Sequence, residues 1–347
     1  MDRVFPDTQW ARLAPEEAGF SAEGLADVRR WLLEFADGRP FRLVIARHGY
    51  LLADWNHGID PDARIRFRSA SKSVYSSLLG IAVAEGKLPS IDARVVDHYP
   101  EMMAVAEGEG PKPGRHAFPE NQEITFRQLI GNTSGYLKPG ERPGTRFHYQ
   151  TFGMNILTHA LATIYGLYDS ADPGRLPGCA RLLEDKIRDP ISGSWEHVYT
   201  DFDYALGTGA KKAIYGHTLD VVANARDAAR IGHLWLNLGR WRARQLVPRA
   251  YLEQAIRTNA DILANEPEDA WRYGLGFWVN EHGQLWPDLP RDLFGAWGAG
   301  SRYIWVSPVL DLVIALCPGP WPDLREEAER IPREQAVLAR LFDAVVR

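Results

Sequence analysis

The pattern of hydrophobic and polar positions predicts β-strands near both ends of the chain. Two short runs rich in aliphatic and aromatic residues, 41–47 and 51–56, are joined through His48 and Gly49, which is typical of a hairpin. The run 64–68 adds an extended segment before the first long apolar helix. Strand character returns towards the C-terminus in three further runs, which are 273–279, 301–307 and 310–317. Strands from both ends are therefore available for one sheet.

Helical periodicity predicts helices in the middle of the chain and one helix near each terminus. Ser21 is a good N-cap for a helix over 22–35, and a last helix is predicted over 332–346. Loops rich in Pro and Gly separate the helices between these two. The predicted central helices are 71–85, 125–131, 154–165, 178–188, 224–238 and 248–258.

This order of elements predicts an α/β (α+β) fold. The simplest packing is one antiparallel sheet built from both chain ends, with the two terminal helices flanking it and a helical domain inserted. A chain of 347 residues with 45% hydrophobic content is long enough to bury a core of its own. We expect a discontinuous sheet domain over 1–68 and 262–347, a mainly helical domain over 69–261, and the candidate site between them.

The net charge and the number of cysteines indicate which kinds of binding partner and which kind of fold are expected. The net charge is −5 with both signs well mixed, which gives no reason to expect nucleic acid or an anionic membrane as partner. Cys179 and Cys317 are too few for a disulfide framework. The N-terminal stretch lacks the apolar core of a signal peptide, so the expectation is a cytoplasmic protein. A small-molecule partner is predicted, and the oligomeric state is left open.

Candidate chemistry begins with a Ser-x-x-Lys spacing at the start of the predicted helix 71–85. Such a spacing occurs by chance about once in a chain of this length, so its placement matters more than its presence. Ser69 and Lys72 lie three residues apart, and in a helical turn they share one face, which brings the ammonium near the hydroxyl. Serine is a weak nucleophile without an adjacent base, and Lys72 is a candidate for that base. Alternatively, Ser69 or Ser71 merely caps the helix while Lys72 is solvated.

Several segments in sequence order resemble the class C β-lactamase and esterase superfamily. They are "FRSASKS" with the following "GKLPSIDARVVDHYPE", then "EITFRQLIGNTSGY", "PGTRFHYQTFGMNILTHAL" and "GAGSRYIWVSPVLDLVIA". The likeness covers roughly 41–317 and is closest to the 6-aminohexanoate-dimer hydrolases and related esterases. It implies a β-lactamase/transpeptidase-like fold and an acyl-serine mechanism. In that mechanism Ser69 is the nucleophile, and Lys72 and Tyr149 carry its proton. An ordinary half-buried tyrosine is the alternative for Tyr149.

Two segments depart from the family pattern. The Tyr-x-Asn motif reads Tyr149-Gln150-Thr151, and the Lys-Thr-Gly strand is replaced by "WGAGS". The lost lysine implies a fall in polarity, which favours neutral or differently charged substrates over penicillins. Small residues here let a strand approach the substrate and donate a backbone N–H to an oxyanion. The implied oxyanion and substrate-binding residues are Ser69, Thr151, Trp297, Gly298, Ala299, Gly300 and Ser301.

Together these features predict a serine hydrolase of carboxylesterase or amidohydrolase type (EC 3.1 or 3.5), acting on a small ester or amide. There are two alternatives. The protein transfers the acyl group to an acceptor other than water through the same acyl-enzyme, or it is a penicillin-binding type of protein that acylates with poor turnover. No Gly-x-Ser-x-Gly, His-Glu-x-x-His or phosphate-loop pattern is present, so neither metal nor cofactor is expected. The aromatic stretch 194–207 either walls the substrate cleft or packs as a loop in the helical domain.

Overall fold

The computed structural model describes residues 3–201, 211–324 and 326–346. The strands are β1 Phe41–Arg47, β2 Tyr50–His57, β3 Ile65–Arg66, β4 Glu196–Asp201, β5 His217–Ala223, β6 Arg240–Trp241, β7 Arg244–Gln245, β8 Trp278–Val279, β9 Phe294–Gly298, β10 Arg302–Ser307 and β11 Leu312–Leu316. The α-helices are α1 Ala22–Ala36, α2 Ser71–Ala84, α3 Phe126–Ile130, α4 Phe152–Ile164, α5 Gly178–Leu183, α6 Lys212–Tyr215, α7 Ala225–Leu236, α8 Arg249–Ala255, α9 Ala260–Asn265 and α10 Glu327–Asp343.

Six strands form one antiparallel sheet in the order β2-β1-β11-β10-β9-β8. Strands from the two chain ends meet where β1 pairs with β11, with Val44 opposite Ala315. The side chains of β1 are buried on both faces of the sheet, as its unbroken run of apolar residues requires. This arrangement confirms the predicted antiparallel sheet built from both chain ends.

The terminal helices α1 and α10 pack together on one face of the sheet. Leu32 of α1 and Leu338 of α10 share a buried core with Leu43 of β1. The Ser21 hydroxyl accepts a hydrogen bond from the Gly24 N–H at 2.9 Å, which confirms it as the N-cap of α1. The predicted pair of flanking terminal helices is therefore confirmed.

The opposite face of the sheet packs against α7 and the helical part of the chain. Gly232 lies in the middle of α7, where a Cβ would stand 2.5 Å from Val313 and 2.8 Å from Ile304. Glycine is needed there because the helix backbone lies directly on the sheet. The helix α7 thus contacts the sheet although it falls within 69–261. The proposed division into two domains stays a prediction.

A second, three-stranded sheet that the sequence analysis did not predict lies beside the start of α2. Its order is β3-β5-β4, so the predicted extended segment before Ser69 pairs with β5. The strands β4 and β5 run antiparallel over their whole length, with Val198 opposite Asp220. This sheet brings β5 next to the turn that carries Ser69.

Several predicted elements differ in extent from the observed ones. Only Trp278 and Val279 of the run 273–279 form a strand, because Gly276 adopts a φ of +87° that interrupts it. The last helix begins at Glu327, five residues before Pro332, and Arg330 in its first turns forms ion pairs with Glu327 and Glu334. The predicted helix 248–258 ends at Ala255, and α9 follows it.

Within the described ranges, no helix is both long enough and apolar enough to cross a membrane.

Candidate active site

A tight 3₁₀ turn, Arg68–Ala70, carries Ser69 immediately before α2. Arg68 adopts a φ of +55°, a left-handed conformation that residues other than glycine seldom occupy and that is often found at functional sites. Its backbone N–H donates a hydrogen bond to Asp220 Oδ1 at 2.8 Å. The turn is thus held by a carboxylate of the second sheet, and Ser69 lies at the entrance of α2.

Ser69 and Lys72 are in direct contact. Lys72 Nζ lies 3.0 Å from Ser69 Oγ, and the lysine side chain is buried in the first turn of α2. Neither Ser69 nor Ser71 caps the helix, since Ala70 occupies the N-cap position and makes no side-chain capping bond. Lys72 is not solvated either, so the capping alternative does not describe this turn. As an ammonium Lys72 donates to Ser69 Oγ, and as a free amine it can accept the hydroxyl proton over the same distance.

The surroundings of the Lys72 amine come from the segment that leads into α4. Nζ lies 4.1 Å from the centroid of the Tyr149 ring and 3.4 Å from Thr151 Oγ1. In the part of the chain that the structure describes, no carboxylate lies within ion-pair distance of Lys72. The amine is therefore enclosed by a serine hydroxyl, a threonine hydroxyl and an aromatic face.

Tyr149 meets Lys72 through its ring rather than through its hydroxyl. The ring packs edge-on against Tyr273, at 5.7 Å between centroids, and tilted against Trp278 at 5.5 Å. Among the residues that the structure describes, none forms a hydrogen bond with the Tyr149 hydroxyl. Hydrogen bonds of catalytic groups often align only when substrate is bound. The catalytic role of Tyr149 thus stays a prediction.

The residues 297–301 lie in three different environments, which are the strand β9, the cavity wall and the core. Gly298 lies against the turn that carries Ser69, since a Cβ there would stand 2.0 Å from the Phe67 carbonyl oxygen. Ala299 and Gly300 line the cavity beside Ser69. Ser301 is buried, and its hydroxyl donates to the Trp321 carbonyl at 3.1 Å. The Trp297 ring is covered by the Arg330 guanidinium at 4.1 Å and is not among the residues that line the cavity.

The backbone N–H groups of Ser69 and Ala299 are candidates for binding an oxyanion, since both residues line the cavity. Within residues 3–201, 211–324 and 326–346, the N–H groups of Ser69 and Ala299 donate no hydrogen bond. The N–H of Gly300, by contrast, donates to Asp323 Oδ1 at 2.6 Å. Free backbone donors next to a nucleophile can stabilise the negative oxygen of a tetrahedral intermediate. The N–H groups of Ser69 and Ala299 are therefore the better candidates for an oxyanion, because the Gly300 N–H already donates to Asp323.

The cavity at Ser69 has a volume of about 460 Å³, and both charged and apolar side chains line it. The missing lysine of the Lys-Thr-Gly strand predicts a fall in polarity, and the consequence of this change for the choice of substrate stays a prediction. Arg66, Arg68 and Arg302 line the wall, together with Asp220 and Asp323. A signal for two of them was present, because Arg66 and Arg68 stand close before the nucleophile in the sequence. Arg302 and Asp220 come from distant strands and had no local signal.

Thr200 and Tyr75 also line the cavity, as do Thr151, Met154, Asn155 and Thr218. Thr200 of β4 lines it, so the aromatic stretch 194–207 reaches the cavity at this residue, while residues 202–207 lie outside the described ranges. Tyr75 of α2 also lines it and donates its hydroxyl to the Leu219 carbonyl. Burial raises the pKa of Tyr75 well above its usual range, which keeps it protonated and excludes it as a general base at neutral pH.

A comparison with protein-family models identifies the family of this chain. The model described as Beta-lactamase matches residues 34–331, most of the chain. The chain belongs to the Beta-lactamase family. A search of curated proteins found no match.

Solved structures of similar fold have low sequence identity to this Beta-lactamase family chain. A penicillin-binding protein homologue from Caulobacter crescentus has a TM-score of 0.66 and 18% identity, over 93% of this chain and 99% of that one. A family VIII carboxylesterase has a TM-score of 0.64 and 16% identity, over 94% and 99%. EstCE1, a hydrolase with promiscuous acyltransferase activity, has a TM-score of 0.63 and 14% identity, over 94% and 98%. These likenesses confirm the expected β-lactamase/transpeptidase-like fold.

In this member of the Beta-lactamase family, Asp220 accepts three hydrogen bonds that hold the turn at the nucleophile. Its Oδ1 accepts from the Arg68 N–H and from Ser71 Oγ, the latter at 3.1 Å. Its Oδ2 accepts from Arg66 Nε at 2.9 Å. Asp220 itself is only 2% exposed, so each of these bonds is shielded from water. Asp220 is therefore a positioning residue for Ser69.

Replacing Asp220 with alanine is expected to lower the free energy of unfolding by about 1–3 kcal/mol, because several donors lose their acceptor at a buried site. Urea unfolding followed by fluorescence measures this loss. The Asp97→Ala variant is the control, since Asp97 pairs with Arg94 at a half-exposed position and its loss should be much smaller. Equal stability of the two variants would contradict the positioning role of Asp220.

Proposed function

We propose that this chain is a serine hydrolase that cleaves a small ester or amide through an acyl-serine intermediate. The observation that carries the proposal is the 3.0 Å contact between Lys72 Nζ and Ser69 Oγ at the wall of a cavity. A nucleophile beside its base, with free backbone donors nearby, is the arrangement that acyl transfer to serine requires.

The proposed first step forms the acyl-enzyme. Ser69 Oγ attacks the carbonyl carbon of the substrate while its proton passes to the free amine of Lys72, directly or through Tyr149. The N–H groups of Ser69 and Ala299 stabilise the negative oxygen that forms. When the carbon–oxygen or carbon–nitrogen bond to the leaving group breaks, the same proton is delivered to that group. The products are an acyl ester on Ser69 and a neutral alcohol or amine.

The second step regenerates the serine. A water molecule attacks the acyl carbon, one of its protons returns through Lys72 to Ser69 Oγ, and the carboxylic acid leaves. An alcohol or amine in place of water would give acyl transfer. The similar structure of a hydrolase with promiscuous acyltransferase activity favours this second candidate function. The likeness to a penicillin-binding protein homologue supports a third candidate, a protein that acylates but turns over poorly.

Release of p-nitrophenol from p-nitrophenyl butyrate tests the proposal. We expect a burst of about one p-nitrophenol per protein molecule followed by a steady rate, because an acyl-enzyme accumulates when its hydrolysis is slower than its formation. A stopped-flow trace at several protein concentrations measures the burst amplitude.

The alternatives give different traces in the same experiment. A burst without a steady rate indicates the poorly turning-over protein, and a steady rate that rises with added alcohol or amine indicates acyl transfer. Absence of any p-nitrophenol release above the rate in buffer would contradict all three functions.

A further inference from the structure

The segment that carries Tyr149 is bound on both sides to one residue, Asn132. The His148 N–H donates to the Asn132 carbonyl oxygen at 2.9 Å. The Gln150 N–H donates to the side-chain oxygen Oδ1 of the same residue, also at 2.9 Å. Tyr149 thus lies between two backbone groups that a single asparagine holds, one through its main chain and one through its side chain.

The backbone of Asn132 is fixed by the end of α3. Its N–H donates to the Leu129 carbonyl at 3.2 Å, and the N–H of Thr133 donates to the Gln128 carbonyl at 2.9 Å. Asn132 is only 2% exposed, so water competes little for its hydrogen bonds. The position of α3 therefore determines where the Gln150 N–H is held.

A helix-ending role is the alternative explanation for Asn132. The helix α3 ends at Ile130, and Asn132 follows its C-cap residue Gly131 with a φ of +57°. The left-handed residue at this position of a helix is most often glycine and sometimes asparagine. Glycine would fill that role without steric cost, but it has no side-chain oxygen for the Gln150 N–H. The two roles therefore give opposite expectations for Asn132→Gly.

The direction of the Tyr149 hydroxyl depends on the backbone of this segment. Among the described residues, none forms a hydrogen bond with that hydroxyl. The ring is in contact with Tyr273, Trp278 and the Lys72 amine. Aromatic contacts of this kind are compatible with a range of offsets, so they do not fix the hydroxyl in one place.

We propose that Asn132 is a positioning residue that orients Tyr149 to deliver the proton to the leaving group. This inference rests on the proposed function, in which Tyr149 passes on the proton of Ser69. Asn132 is not among the described residues that line the cavity, so its effect on the reaction passes through Tyr149. A displacement of about 1 Å at a catalytic group can lower the rate by about 10²-fold.

A pair of substrates with one acyl group tests the inference. They are p-nitrophenyl butyrate and butyryl p-nitroanilide, and only the amide has a poor leaving group that needs a proton delivered. We expect Asn132→Gly to lower kcat on the anilide by at least about 10-fold, with little change in KM and a smaller loss on the ester. Asn132→Asp keeps an oxygen acceptor and tolerates a left-handed backbone, so it should restore most of the rate.

A double-variant cycle separates positioning of Tyr149 from a general loss of structure. If Asn132 acts through the Tyr149 hydroxyl, Asn132→Gly/Tyr149→Phe should be at most about 3-fold slower on the anilide than Tyr149→Phe alone. A purely structural role would give the same loss in both backgrounds. If melting curves show that Asn132→Gly does not fold, Asn132→Ser replaces it, because the serine hydroxyl is one bond shorter and should give a smaller loss of the same kind.

Asn121→Gly is the matched control. Asn121 is likewise a buried asparagine, and its side-chain oxygen accepts from the N–H groups of Phe118 and Leu137. It holds no neighbour of Tyr149, so its replacement should affect the ester and the anilide equally. A greater loss on the anilide than on the ester in Asn121→Gly would contradict a specific role of Asn132.

Three results would overturn the inference while ester cleavage at Ser69 persists: wild-type anilide turnover in Asn132→Gly, equal losses in both backgrounds of the cycle, or full anilide turnover in Tyr149→Phe. If neither substrate is cleaved, the proposed function fails, and hydrogen exchange of single N–H groups by mass spectrometry decides. The Gln150 N–H should then exchange at least about 10-fold faster in Asn132→Gly than in wild type or Asn132→Asp, while the His148 N–H stays protected. Equal Gln150 exchange in all three proteins would overturn the inference in that case.

Discussion

Ester turnover is expected to fall by at least about 10³-fold when Ser69 is replaced with alanine, because among the described residues its hydroxyl lies nearest to the Lys72 amine, at 3.0 Å against 3.4 Å for Thr151. The remaining rate would come from binding and from the backbone N–H groups alone. Steady-state hydrolysis of p-nitrophenyl butyrate measures the fall. EDTA should leave the wild-type rate unchanged, since the proposed steps use only side chains and backbone of the chain.

Ser71→Ala is the matched control for this variant. Ser71 is also a serine at the start of α2, but its hydroxyl donates to Asp220 and accepts from the Val221 N–H at 3.0 Å. Its loss should weaken the turn and still leave covalent acylation intact. Full activity in Ser69→Ala, or loss of acylation only in Ser71→Ala, would contradict the assignment of Ser69 as nucleophile.

A loss of about 10²–10⁴-fold in kcat is expected for Lys72→Ala and for Tyr149→Phe separately, the usual range for general acid–base groups. Lys72 is the base in contact with Ser69, and its amine lies 4.1 Å from the centroid of the Tyr149 ring. If the two residues carry one proton, the double variant should be little worse than the worse single variant. Steady-state kinetics on all three variants measure this coupling.

The choice of substrate separates the two possible roles of Tyr149. Phenylalanine keeps the ring that covers the Lys72 amine and removes only the hydroxyl. Tyr149→Phe should therefore slow an amide more than a p-nitrophenyl ester, because only the poor leaving group needs a proton delivered. Near wild-type rates on an amide in Tyr149→Phe, with Lys72→Ala inactive, would show that the ring is structural and that no relay passes through the hydroxyl.

The parts of the fold that local sequence determines could be predicted. Ser21 begins α1 because its hydroxyl satisfies a free N–H of the first turn, and this needs no distant residue. The contact between Ser69 and Lys72 likewise follows from a spacing of three residues at a helix start. The strands β1, β10 and β11 were visible as apolar runs, and the order of elements predicted one antiparallel sheet built from both chain ends.

The chemical character of the cavity could not be predicted in the same way. Asp220 reaches Ser71 across 149 positions of sequence, and Arg302 reaches Arg66 across 236. Such contacts depend on which strands pair, and β5 contains too many polar residues to stand out as a strand. The absence of a lysine from the strand that ends in Gly298 carries no information about the arginines that other elements bring to the cavity.

Intact-mass measurement after brief exposure to p-nitrophenyl butyrate and acid quenching tests the central claim most directly. The acyl-serine mechanism predicts one butyryl adduct per wild-type molecule, located by peptide mapping on Ser69, and no adduct on Ser69→Ala under the same exposure. Turnover of the ester without any adduct, or an adduct of equal amount on Ser69→Ala, would contradict the mechanism.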